Sequence, residues 1–183
     1  MTYRLVKWLL IVCVAIMLGF TWFAVSSLPS LQPWHTQRLA GEFKAYKDSD
    51  IDFDTYMRRE AILFENMQTE IAGWDQTEEA FIYSRFNRAS NFDRLAEGAP
   101  FNRSFRWTVA NPKGHALLIH GLTDSPYSMK AMAETLHARG FDITVLRLPG
   151  HGTLPSMMTE MSLRDWNAAV RIAAREVASR TPP

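Results

Sequence analysis

Gly114 to Ser156 reads GHALLIHGLTDSPYSMKAMAETLHARGFDITVLRLPGHGTLPS, and the order of its apolar, capped and glycine-bearing segments decides the fold. Ala116 to Ile119 is a short continuous apolar run, the pattern of a strand buried on both faces of a parallel sheet. It stops at His120-Gly121. Ser125 is placed to cap a helix with Pro126 at its first position. Met129, Met132, Ala133 and Leu136 give that helix its apolar stripe, and Gly140 gives it a left-handed stop. Ile143 to Leu148 (ITVLRL) is a second strand, closed by Pro149-Gly150-His151-Gly152, and the whole unit has the length of a right-handed crossover. In open α/β sheets ligands bind beyond the carboxyl ends of the strands, which is where both glycine turns fall. Glycine there lets backbone approach a ligand and exposes N–H groups, although either turn taken alone reads equally well as an ordinary turn.

Outward from this core the pattern continues on both sides. Ser104 to Val109 alternates Phe105, Trp107 and Val109 on one face before the turn Ala110 to Gly114, which predicts a hairpin-like entry into the sheet. Ser162-Leu-Arg-Asp165 is a capping box. It opens a helix with Leu163, Trp166, Val170, Ala173 and Val177 on one stripe and Arg164, Arg171 and Arg175 outward, ending by Pro182-Pro183.

The two glycine turns, in order and separated by a capped helix, resemble the early part of an α/β-hydrolase, in the carboxylesterase, monoacylglycerol-lipase and S33 serine-hydrolase branch. The resemblance covers the 43 residues Gly114 to Ser156, continues loosely through 162–180 and weakens upstream of 103. It implies an α/β fold: the N-terminal part of a mostly parallel sheet with flanking helices. It also implies that the backbone N–H of Leu122 contributes to an oxyanion hole and that His120, Gly121 and Thr123 form the substrate-side turn. Gly150, His151 and Gly152 would form the loop beside the acyl pocket. The implied substrate is a carboxylic ester, small or lipidic, with no cofactor. A peptidase of the same branch, or a non-catalytic tethered scaffold keeping the early topology, shares these residues.

The chain departs from the family in one respect: no G-x-S-x-G occurs in its 183 residues. Family order places Ser, then Asp or Glu, then His from the fifth strand onward, so the resemblance implies an N-terminal portion of a longer hydrolase, inactive alone, with all three triad members beyond Pro183. The run Ala116 to Ile119 would then have one unpaired side, an aggregation template, and the chain is expected to fold poorly without its missing half. His115, His120 and His151 could in principle hold zinc. However, His115 starts its strand about 16 Å of extended chain from His120, which speaks against a metal site. Ser125 or Ser128 beside His120 could pair as nucleophile and base, but neither stands on a strained elbow.

Upstream, Phe53, Met57, Phe64, Met67 and Ile71 predict a helix over about 53–72 with Gly73 as its stop, packed on the neighbouring domain. Asp48, Asp50, Asp52 and Asp54 alternate like a calcium loop, but Phe53 and Arg59 occupy the positions where such a loop needs glycine and glutamate. Helix capping explains the acids better. The Asn, Arg and aromatic residues of 80–105 read as packing with snorkelling arginines rather than nucleic-acid stacking.

Trp8 to Val25 passes eighteen residues without a charge, long enough for a membrane span, with Trp8, Trp22 and Phe23 near its ends. Arg4 and Lys7 precede it, and the next basic residue other than His35 is Arg38, so the N-terminus is expected in the cytoplasm and the body exported. A cleavable signal peptide ending near Ala24-Val25-Ser26 competes with the uncleaved anchor; a buried soluble helix fits less well. Without Arg4 and Lys7 the remaining 18 basic residues face 19 acidic ones, which argues against nucleic-acid binding. The only cysteine, Cys13, lies inside the apolar run, so no disulfide framework or zinc ribbon is available. The expected organisation is a basic N-terminus (1–7), anchor (8–25), linker (26–36), helical leader (37–102) and incomplete α/β-hydrolase domain (103–183).

Overall fold

A computed structural model of the chain describes residues 2–48, 50–77, 79–82, 84–87 and 102–180. Its contacts divide into two units, Met1–Leu31 and Gln32–Pro183.

The first unit is one helix, α1 (Thr2–Ser26), exposed along its length and long and apolar enough to cross a membrane. At 1.5 Å per residue it spans about 37 Å. Two of its hydroxyls turn back onto the helix, Thr21 donating to the Met17 carbonyl at 2.8 Å and Ser26 to the Phe23 carbonyl at 3.0 Å.

The second unit begins with short helices α2 (Pro33–Thr36) and α3 (Ala45–Asp48), followed by the long helix α4 (Phe53–Ala72) and the short α5 (Glu79–Ile82). Asp52 caps α4 by accepting from Thr55 N–H at 2.7 Å, and Gly73 ends it. Asp48 instead accepts from Lys44 N–H and pairs with Arg59. Besides Phe53, Phe64, Met67 and Ile71, α4 buries Tyr56, Glu60 and Leu63, so its inner face is wider than the predicted stripe and includes a carboxylate. Residues 88–101, within the Asn, Arg and aromatic stretch, and 181–183, where the last helix was expected to stop, lie outside the described residues. Of the arginines in that stretch, Arg85 reaches the Thr153 carbonyl and Arg103 lies over the Phe64 ring at 4.9 Å; just beyond it, Arg106 pairs with Glu176 at 2.6 Å.

Three strands form a small mixed sheet, β1 (Phe105–Trp107), β2 (His115–Ile119) and β3 (Asp142–Leu146), in the order β1-β3-β2. β2 and β3 run parallel with His115 opposite Asp142 and Ile119 opposite Leu146, joined by a 3₁₀ turn (Pro126–Met129) and helix α6 (Lys130–Ala138). β1 lies antiparallel to β3, Phe105 opposite Val145. The hairpin-like entry is therefore corrected: β1 pairs with the later strand, not with its neighbour in sequence, and the described sheet is mixed rather than mostly parallel.

Burial corrects a second expectation. The apolar run of β2 is only half-buried, Leu118 alone being buried, because β2 is an edge strand among the described residues; the strand buried throughout is central β3. Three expected stripe and cap residues also differ. Met132 and Leu163 are exposed, and the Ser125 hydroxyl donates to Asn102 Oδ1 at 2.7 Å instead of capping the first turn, which is 3₁₀. Gly140 does adopt a positive φ of 89°. Helix α7 (Leu163–Arg180) opens as the capping box predicts: Ser162 Oγ donates to Asp165 Oδ2 at 2.6 Å, and Asp165 N–H returns to Ser162 Oγ at 3.3 Å. Ala168, Ala169, Ile172 and Ala173 face the core with Leu146, Phe43, Phe53 and Tyr56.

Candidate functional site

Arg147 follows β3 directly and is 1% exposed, a charge where an apolar run should continue. Its guanidinium is met by two carboxylates from the leader: Nη2 donates to Glu42 Oε1 at 2.8 Å, and Nε donates to Glu60. Glu60 also accepts from Ser104 N–H at 2.9 Å, and Tyr56 donates its hydroxyl to the Arg147 carbonyl at 2.7 Å. Burial opposes the Glu42 charge, but Arg147 and the N–H groups of Gly150 and Phe43 hold its carboxyl below the usual value. Glu60 goes the other way. Burial raises it, and one guanidinium shared between two carboxylates does not fully offset that cost. Arg147 loses by burial yet is held well above its ordinary value by Glu42 and Glu60.

This network supports the Pro149–Gly152 turn from beneath. Arg147 Nη1 donates to the His151 carbonyl at 2.9 Å, Gly150 N–H donates to Glu42 Oε2 at 2.9 Å, and Trp166 Nε1 donates to the Pro149 carbonyl at 2.9 Å. Gly150 has φ +83°, and a Cβ there would stand 2.5 Å from Met161 Cγ; Gly152 has φ +71°, with Asn102 O at 2.7 Å from such a Cβ. Packing alone therefore requires both glycines. At Gly121 a Cβ would meet nothing within 4 Å, so the space beside this turn is open.

His120 sits at the carboxyl end of β2, 4% exposed. Leu148 N–H donates to its Nε2 at 3.1 Å, which places the ring proton on Nδ1, 2.9 Å from the Gly121 carbonyl. Burial lowers its basicity, so this neutral tautomer persists. The Gly121–Leu122 peptide is trans, and a trans peptide is planar with its carbonyl and N–H pointing in opposite directions. With its carbonyl held by His120, its Leu122 N–H points away from the buried ring. Gly121, Leu122 and Thr123 are exposed, and among the described residues neither Leu122 N–H nor Thr123 N–H has a hydrogen-bond partner. The turn thus presents free backbone donors beside open space, an arrangement suited to developing negative charge on an oxygen.

The structure brings His120 and His151 together, ring centroids 4.8 Å apart, and keeps His115 at the far end of β2, where its Nε2 lies 2.8 Å from Thr144 Oγ1. No group of three metal-ligating side chains occurs among the described residues. A groove of about 290 Å³ lies elsewhere, between the start of α4 and the end of α7 near Ile51, Ile172 and Arg175. It contains neither glycine turn. Sequence reading missed Glu42, Tyr56, Glu60 and Arg147 as supports of the site; the signal available was an arginine inside ITVLRL, a buried run in which a charge demands partners.

No family model matches the chain. A thermostable monoacylglycerol lipase of Bacillus sp. (strain H-257) is 41% identical over 54 residues, 30% of this chain and 22% of the lipase. A solved structure described with LipS and LipT, two metagenome-derived lipolytic enzymes, is 31% identical over 45% of this chain and 33% of its own, with a TM-score of 0.42. The chain therefore spans about a fifth of the curated relative and a third of the solved one. Over the matched stretch it is related to a lipolytic, α/β-hydrolase-like protein, and that relationship covers only part of the chain.

Proposed function

We propose that this chain carries the amide-donor side of a serine-hydrolase site for carboxylic esters of the acylglycerol or lysophospholipid kind, tethered to a membrane by α1. The supporting observation is the turn after β2, where His120 fixes the Gly121 carbonyl and exposed Leu122 has an N–H without a partner among the described residues. In the proposed reaction a histidine-activated serine attacks the ester carbonyl, and the new C–O bond turns the carbonyl oxygen into an oxyanion. Leu122 N–H donates to that oxygen, the alcohol leaves with the proton carried by histidine, and water then releases the acid from the acyl-enzyme. The 183 residues contain no G-x-S-x-G, so the serine of this proposal comes from outside them. Arg4 and Lys7, at the start of α1 and ahead of its uncharged run, support a cytoplasmic N-terminus with the body on the opposite side.

The test is labelling with a fluorophosphonate probe. The 183-residue chain should remain unlabelled and leave monoacylglycerol intact, whereas the chain extended by whatever its reading frame encodes beyond Pro183 should label at an elbow serine and hydrolyse the ester. Labelling at Ser125 or Ser128, or an extended chain that cleaves peptides and no ester, would overturn the assignment.

A further inference from the structure

The Gly121–Thr123 turn and the Pro149–Gly152 turn follow different strands, and one buried side chain joins them. His151 is 4% exposed, and its Nε2 lies 2.8 Å from the Leu122 carbonyl. Its Nδ1 lies 3.2 Å from both the Leu148 and Pro149 carbonyls. Every polar neighbour of the ring is an acceptor, and the shortest contact is the one to Leu122, so Nε2 is the nitrogen that donates there. The buried ring packs against His120 and Trp166, with ring centroids 4.8 and 5.6 Å away.

The turn it reaches has little else to hold it. Leu122 is 61% exposed, Thr123 is exposed, and a Cβ at Gly121 would touch nothing, so side-chain packing does not set the backbone there. Two carbonyls are clamped instead, Gly121 by His120 and by Asp124 N–H, and Leu122 by His151. The Leu122 carbonyl shares a planar peptide with Thr123 N–H, so holding one aims the other.

We propose that His151 is a positioning residue that holds the Leu122 carbonyl across the gap between the two turns, fixing the second of two successive peptides whose N–H groups have no partner among the described residues. This rests on the hydrolase reading above for its purpose, but not for its geometry. It couples the buried Arg147 network to the exposed donors: Arg147 and Glu42 fix the backbone of Gly150 and His151, and the His151 ring passes that position on to Leu122.

The experiment is NMR on the full chain in detergent micelles, with ¹⁵N-labelled histidine and ¹³C-carbonyl leucine. In the wild type His151 Nε2 should carry a proton with coupling to the Leu122 carbonyl. His151→Phe should remove that coupling, shift the Leu122 carbonyl and lower the order parameters of Leu122 and Thr123 from about 0.85 toward about 0.6, with Leu148 and β3 unchanged. A glutamine amide reaches the Nε2 position and an asparagine amide the Nδ1 position, so His151→Gln should restore rigidity and His151→Asn should not, at equal thermal midpoints. An unprotonated Nε2 in the wild type overturns the proposal even if every variant misfolds, and so does an asparagine variant as rigid as the wild type. Ester hydrolysis is no part of this readout, so a failed labelling experiment and a failed clamp are told apart.

Discussion

Replacing Arg147 with methionine fills much of the same space but leaves Glu42 and Glu60, both with side chains 3% exposed, facing each other without a cation. Removing one partner of a buried ion pair costs about 3–5 kcal/mol, a large part of the roughly 5–15 kcal/mol that holds a domain together. With a urea m-value of about 2 kcal/mol/M, a loss of about 4 kcal/mol lowers the unfolding midpoint by about 2 M. The pH dependence gives a second readout. In the variant both folded carboxyls should lie above their unfolded values, so the folded state binds protons more tightly and stability should return as pH falls from 8 to 5. In the wild type the two oppose each other. Glu42, held low, loses stability as pH falls through its folded value, whereas Glu60, held high, gains stability as pH falls through its own. The assay is far-ultraviolet circular dichroism of the full chain in detergent micelles through urea series at pH 5 and pH 8. A midpoint within about 0.5 M of the wild type at pH 8, or no recovery at pH 5, would refute the reasoning. The variant Arg147→Met, Glu42→Gln, Glu60→Gln, which removes the charges but keeps acceptors for the N–H groups of Gly150 and Ser104, should recover most of the loss if uncompensated charge, not lost packing, is the cause.

Gly150→Ala should lower the thermal midpoint, because a positive φ and a Cβ 2.5 Å from Met161 Cγ combine at one site, at a cost of about 1–3 kcal/mol; Gly121→Ala, with no such neighbour, should cost under about 1 kcal/mol. Equal melts for the two would contradict the packing account of the second turn. Asp165→Ala removes the acceptor of Ser162 and of Ala45 N–H and should cost about 1–2 kcal/mol in the same melt. Burial raises the Asp165 carboxyl, but bonds from Ser162 and Ala45 hold it below the ordinary value, so the wild type's advantage over Asp165→Ala should shrink as pH falls through that lowered value. Deleting residues 1–31 should move the protein from the carbonate-resistant membrane fraction to the supernatant, and retention in the pellet would count against α1 as the anchor.

Local patterns were legible in the sequence by itself. The apolar helix needs only composition, α4 only its period and an aspartate before it, α7 only the Ser162 and Asp165 pair, and the crossover only two apolar runs, a helix and Gly140. Each depends on neighbours within a few residues, which is why sequence determined them. Pairing and burial are not local. β1 pairs with β3 rather than β2, an apolar run became a half-exposed edge because nothing described covers its far side, and Met132 and Leu163 turned outward although their spacing matched a core stripe. The site divides the same way. His120, Gly121, Gly150 and His151 stand out in the chain, but what holds them comes from Glu42 and Glu60, more than eighty residues upstream of Arg147. A carboxylate in a helix stripe looks like any solvated acid until the fold closes over it, because only burial makes an ion pair obligatory.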